Sequence, residues 1–179
     1  MSIDERQKGE PCGQKIDEEW IPCCPKFDPS TVDENESILL ENRSFVRDYT
    51  YSIGHFTWDW HGAIDRCCEK LLAANALPDA DSFLNLSDPS SAFRTYLYVE
   101  ALPDREIPGC EIHYISGTFM AKVFEGPCSN CGLFDAQTHK HILAKTGKKP
   151  IKVYIRYTAC PECAEYYGEN YIVLYAQIA

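Results

Sequence analysis

The sequence predicts an α+β fold in which a β-α-β-β order occurs twice behind an irregular N-terminal arm. Three observations carry that expectation. Residues 151–157 (Ile-Lys-Val-Tyr-Ile-Arg-Tyr) and 171–178 (Tyr-Ile-Val-Leu-Tyr-Ala-Gln-Ile) are dominated by the β-branched and aromatic residues that strands favour. Two segments, near 59–75 and 133–145, read as helices. Each sits between one strand-like segment and two more, the pattern of antiparallel sheet covered by two packing helices.

Residues 1–43 are acidic, rich in Pro, Gly and Cys, and without sustained period, which predicts the arm. Apolar side chains interrupt its polarity at 20–29, so this part is expected to dock on the body. The body, residues 44–179, divides into half-units of about 44–102 and 111–179. Residues 44–53 alternate, with Phe45, Tyr49, Tyr51 and Ile53 bulky, and read as the first strand, ended by Gly54. A helix follows from Trp58 or Asp59 to about Asn75, because Trp60, Ile64, Cys67, Cys68, Leu71 and Leu72 recur at helical spacing; Pro78 closes it. Residues 82–87 and 93–102, joined by Asp-Pro-Ser-Ser at 88–91, predict a hairpin.

The same order then recurs without sequence identity between the halves. Residues 111–124 read as a strand, 133–145 as a helix capped by Gly147, and 149–179 as a long hairpin with Cys160-Pro-Glu-Cys163 at its tip. Alternation in that hairpin puts Lys152, Tyr154 and Arg156 on one face and Ile151, Val153, Ile155 and Tyr157 on the other. One face is expected to pack and the other to meet water or a ligand.

Composition narrows the function. The 179 residues contain no long uncharged apolar run, which excludes a helical membrane span, and the polar start Met-Ser-Ile-Asp-Glu-Arg-Gln-Lys lacks a signal peptide's apolar stretch. A cytoplasmic location is expected. A net charge of −10 argues against a nucleic-acid partner, since phosphate recognition needs clustered Lys and Arg. Ten cysteines in a reducing compartment point to thiols or metal ligands rather than a disulfide framework.

The motifs are distinctive. Cys-Cys-Pro-Lys-Phe-Asp-Pro at 23–29, Ser-Gly-Thr-Phe at 116–119 with Lys-Val-Phe-Glu-Gly at 122–126, and Cys-Pro-Glu-Cys-Ala at 160–164 with Tyr167-Gly168 and Asn170-Tyr171 resemble a bacterial group of GyrI-like proteins labelled "hydrolase". That resemblance covers about residues 20–179. The doubled β-α-β-β order is similar to the wider GyrI-like superfamily, the effector-binding fold of multidrug-sensing transcription activators and related small-molecule hydrolases. The resemblance implies two half-domains packed pseudosymmetrically around a cleft lined by aromatic residues, often holding a carboxylate.

This chain can furnish such a lining. Tyr96, Tyr98 and Glu100 share one strand face, Tyr49 and Tyr51 another, Tyr154 and Arg156 a third, and Trp58 stands at the start of the first helix. Rigid aromatic walls bury a planar or cationic organic ligand at low entropic cost. Glu100 is the expected cleft carboxylate, against the alternative that it is exposed near a strand end. The resemblance implies a Glu on the penultimate strand just before an aromatic residue; here Lys152 stands there, so hydrolysis requires Glu100 to activate water, with Tyr154 or Tyr96 donating to the leaving atom.

The cysteines form a second constellation. Cys160 and Cys163, with two residues between them in a tight turn, bring two thiolates within reach of one metal, and Cys128 and Cys131, with the same spacing, compete with Cys23 and Cys24 to supply the other two ligands. If the arm docks on the hairpin tip, Cys23 and Cys24 complete a site with Cys160 and Cys163, for which zinc is the expected ion. A redox thiol pair at Cys160 and Cys163 and inert buried cysteines remain open. Three function classes follow: hydrolysis of an electrophilic small molecule, sequestration or sensing of one, and thiol redox chemistry.

Overall fold

The computed structural model describes residues 14–16, 19–53, 56–57, 59–79, 83–89, 91 and 93–179. In the arm, β1 (Gln14–Ile16) and β2 (Glu19–Ile21) make a short antiparallel hairpin. A 3-10 turn at Pro29–Thr31 follows, with the Asp28 carboxylate accepting from the Ser30 amide at 2.9 Å.

The body runs β3 (Ser37–Ile53), β4 (Phe56–Thr57), α1 (Trp60–Ala73), β5 (Asn85–Asp88), β6 (Arg94–Glu100), β7 (Ile112–Glu125), α2 (Cys131–Thr146), β8 (Lys152–Tyr157), α3 (Pro161–Tyr167) and β9 (Tyr171–Gln177). Six of these strands close into an antiparallel barrel in the order β3-β6-β5-β8-β9-β7 and back to β3. Closure depends on the length of β3. Its first part pairs with β7 from Ser37↔Met120 to Val46↔Ile112, and its second part pairs with β6 from Phe45↔Glu100 to Tyr51↔Arg94. A bulge between Leu40 and Arg43 interrupts the β7 ladder, which resumes at Arg43↔Ile115, and Phe45 and Val46 pair with β7 on one side and β6 on the other. At the bulge Asn42 takes a left-handed φ of 46°, which Asn tolerates better than most residues, and its amide donates to Ser116 Oγ at 3.0 Å. Opposite Leu40, Gly117 has φ 144°, and a Cβ there would stand 2.6 Å from the Ala179 carbonyl oxygen.

Side-chain alternation sorts two cores. Phe45, Leu84, Leu86, Tyr98, Ile115, Phe119 and Tyr154 fill the barrel interior. The outer wall is covered by helices. α1 buries Ala63, Cys67 and Leu71 at a spacing of four, with Cys67 and Leu71 packing on Val46 and Val99. α2 lays Phe134 on Phe124, the rings stacked 4.5 Å apart, and ends at Gly147 in the left-handed conformation, its amide donating to the Leu143 carbonyl.

Four details depart from the expectation. The antiparallel sheet closes into a barrel, which the element order alone does not specify, because β3 has enough residues to pair on both sides. β3 begins at Ser37, seven residues before the expected strand, since Ser37-Ile-Leu-Leu40 finds a partner in β7. The long hairpin is tipped by the helix α3 rather than a bare turn. Both faces of β8 pack: Ile155 lies under α2 and Tyr154 points into the barrel, so the polar-looking face is the inner one. Among the described residues no helix is long and apolar enough to cross a membrane.

Candidate functional site

At one end of the barrel the arm meets α3, and four sulfurs converge. The ligand atoms of Cys23, Cys24, Cys160 and Cys163 all lie within 4.8 Å of one another. Cys23 Sγ is 3.6 Å from Cys24 Sγ, 3.8 Å from Cys160 Sγ and 3.6 Å from Cys163 Sγ. A tetrahedral ion with bonds of about 2.3 Å to sulfur has edges of about 3.8 Å, so these separations suit one such ion. Three backbone amides point at the sulfurs: Cys24 N donates to Cys163 Sγ, Cys160 N to Cys24 Sγ and Cys163 N to Cys160 Sγ, each at 3.4 Å. Donors of this kind suit thiolates. The Tyr167 hydroxyl fastens the arm by donating to the Cys24 carbonyl at 2.7 Å.

Two features qualify the thiols. Cys24, Cys160 and Cys163 are free, whereas Cys23 is disulfide-bonded. That departs from the all-thiol expectation, and Cys23 must be reduced before it can offer a thiolate. Burial holds the Cys160 thiol well above its ordinary range, the opposite of the low-pKa thiolate a redox pair requires.

The barrel interior carries the second group of polar residues. Glu100 is 9% exposed; its Oε1 accepts from Arg43 Nε at 2.6 Å and its Oε2 from the Leu84 amide at 3.2 Å. Beside this pair lies a cavity of about 160 Å³, walled by the apolar Ile38, Leu40, Phe83 and Leu84 and by Arg43, Arg156 and Tyr175. The Arg156 guanidinium lies 5.9 Å from the ring centre of Phe27 in the arm, and Phe27 packs on Tyr171 at 5.9 Å. Deeper in the barrel Tyr98 and Tyr154 meet edge to face at 5.9 Å. Lys152 stands 4.8 Å from the Tyr154 ring centre and 2.5 Å from Asp88 Oδ2. Burial raises the Tyr154 phenol above its ordinary range; for Lys152 burial acts downward, but the Asp88 carboxylate outweighs it and keeps the ammonium charged.

A protein-family model described as "Bacterial hydrolase" matches residues 14–178, nearly the whole chain. The chain belongs to the bacterial hydrolase family. No curated protein matches it, and no solved structure matches it.

Within this chain the expected site residues divide into three places. Cys23, Cys24, Cys160 and Cys163 come together, and the adjacent pair puts both sulfurs on the cluster despite sharing one peptide bond. Cys128 and Cys131 stay outside it; Cys131 is buried, its sulfur 3.6 Å from the Tyr157 hydroxyl. Tyr98 and Tyr154 are interior packing residues at 7% and 6% exposure, not walls of an open cleft. Tyr49 and Tyr51 are exposed where β3 and β6 run on together, Tyr49 against Tyr96 at 6.4 Å and under the Arg94 guanidinium at 4.7 Å. Glu100 and Arg156 serve the cavity end, and Trp58 lies outside the described residues.

The cavity and its surroundings also bring in residues that the sequence pattern does not single out. Arg43 was counted in the arm; the run Ser37-Ile-Leu-Leu40 just before it was the signal that a strand had already begun. Asp88 read as the start of an Asp-Pro turn, yet it is the last residue of β5 and 2% exposed. Tyr175 follows from the alternation of β9, which the hairpin reading had already placed opposite β8.

Proposed function

We propose that this chain binds a small organic molecule in the cavity beside the Arg43–Glu100 pair, and that its four-cysteine cluster is a structural zinc site holding the arm to the barrel end. The observation that carries the binding reading is the cavity itself: four apolar side chains, two guanidiniums and a phenol line it, at the end of an otherwise filled barrel. The doubled strand-helix-strand-strand order supports a GyrI-like relationship, and thiolate ligands suit a reducing, cytoplasmic setting. Zinc bound by Cys23, Cys24, Cys160 and Cys163 has all four positions filled by protein, so it shapes the fold and leaves chemistry to other groups.

Family membership favours hydrolysis as a second reading. Glu100 is the carboxylate bonded to two cavity-wall residues, Arg43 and Leu84, and is the group to activate water. Both its oxygens are engaged, which makes it a better clamp for Arg43 than a base, and binding therefore ranks first.

The test is a panel of small organic esters, amides and acids, read by methyl NMR at Ile38, Leu40 and Leu84 and by turnover. Perturbation of those methyls supports the binding site; perturbation only elsewhere removes it. If hydrolysis is real, Glu100→Gln abolishes turnover while binding of a neutral ligand survives. Turnover that persists in Glu100→Gln ends the Glu100 assignment.

A further inference from the structure

The cavity contains an imbalance of hydrogen-bonding capacity. Arg43 is satisfied by Glu100. Arg156, on β8, has no carboxylate partner among the described residues; its guanidinium lies by the face of Phe27. The Tyr175 hydroxyl, on β9, likewise has no hydrogen-bond partner among the described residues. The remaining wall, Ile38, Leu40, Phe83 and Leu84, offers only hydrocarbon side chains. Two donors therefore face a small space in which no carboxylate or carbonyl side chain lines the wall. A guanidinium has five N–H donors and no acceptor, and its fork matches a planar oxyanion.

Charge points the same way. The chain carries a net charge of −10, yet the fixed charges at this cavity are two guanidiniums and one carboxylate, a local excess of +1. The size is equally restrictive. An engineered cavity of about 150 Å³ accommodates benzene, so a volume of about 160 Å³ admits a body of one small ring or a short chain with a single polar head.

Resting on the reading of this cavity as the ligand site, we infer that its ligand is a small monocarboxylate: the carboxylate on Arg156 and the Tyr175 hydroxyl, the apolar body against Ile38, Leu40 and Leu84. This is opposite in sign to the cationic ligand that aromatic walls alone suggest. Tyr98 and Tyr154, which would receive a cation, are already occupied by Lys152. For a hydrolytic member of the family, the same geometry makes the acid product of ester or amide cleavage the species held at Arg156.

The experiment compares benzoate with benzamide, and hexanoate with hexanamide, by titration against the full-length chain with isoleucine and leucine methyls labelled. Benzoate or hexanoate is expected to shift the Ile38, Leu40 and Leu84 methyls and to bind at least about tenfold more tightly than its amide, the scale of one charge-assisted hydrogen bond. Arg156→Gln should erase that preference, Arg156→Lys should keep part of it, and Tyr175→Phe should weaken the acid by a few-fold. Unfolding temperatures show whether each variant remains folded, and Arg156→Lys serves if Arg156→Gln does not. Acid and amide binding equally at these methyls, in wild type and Arg156→Gln alike, overturns the carboxylate inference and leaves the cavity standing. Shifts at no cavity methyl with any of the four compounds overturn the cavity reading as well.

Discussion

Lys152 Nζ and Asp88 Oδ2, 2.5 Å apart, join β8 to β5 across the seam where the barrel has a single bridged register pair, Ser87↔Ile155. Every other seam of the barrel is longer. The carboxylate is 3% exposed and the lysine 31%. Removing one partner of a buried pair costs about 3–5 kcal/mol, and the partial exposure of Lys152 reduces that. Lys152→Met is expected to lose about 2–3 kcal/mol, or roughly 4–12 °C of unfolding temperature. Calorimetry of Lys152→Met, Asp88→Asn and the double variant checks it. A double variant as damaged as the sum of the singles would show that the two residues do not couple.

The cysteine cluster makes a stoichiometric prediction. After reduction to release Cys23, the protein should take up one zinc per chain, measured by plasma mass spectrometry. Zinc at a thousandfold its dissociation constant adds about 4 kcal/mol, which is roughly 8–16 °C for a chain of this size. Cys163→Ser should abolish both the uptake and the shift. Uptake that survives Cys160→Ser and Cys163→Ser together would place the metal elsewhere.

Glu34 ties the arm to the body through an acid-sensitive contact. Its Oε1 accepts from the Val123 amide at 2.8 Å and its Oε2 pairs with Lys122 at 3.1 Å. Burial acts to raise its pKa, but the Val123 amide and Lys122 outweigh that and lower it. A lowered folded-state pKa gives stability that is present above the unfolded value, about 4.3, and lost as pH falls through the folded one. The stability difference between wild type and Glu34→Gln should thus be constant near neutral pH and shrink below about pH 4.3. Urea denaturation at a series of pH values measures it, and a difference unchanged at pH 3 would remove Glu34 from the acid response.

Cys67 should be one of the inert free thiols. It is 0% exposed beneath α1, and burial, ahead of the nearby Asp48, pushes its pKa up to about 12. Peptide mapping after iodoacetamide at pH 8 is expected to find Cys67 unmodified until denaturant is added. Modification of Cys67 in the native protein would mean that α1 lifts from the barrel.

The parts of this structure that could be read from sequence are those specified locally. Gly147 ends α2 because only a residue at ease with positive φ can, and the Cys160–Cys163 spacing declares itself within one turn. The cluster was legible for a further reason: the apolar side chains beside Cys23 and Cys24 signalled docking. What stayed hidden depends on distant partners. Arg43 and Glu100 are 57 positions apart, and nothing near either says that a bulge will aim one at the other. Alternation separated the two faces of β8 correctly but could not say which was inside. In a closed barrel the interior tolerates Lys152 and Arg156 because each finds a neighbour there: a carboxylate for the first and an aromatic face for the second.

The double pairing of β3 also has a consequence during synthesis of the chain. When a ribosome has released residues 37–53 and 94–100, the second part of β3 already has β6, but its first part must wait for residues 112–125. Through that interval a nascent chain presents Ser37-Ile-Leu-Leu40 as an unpaired edge of a kind that recruits other chains. Slower synthesis between residues 100 and 125 prolongs that exposure.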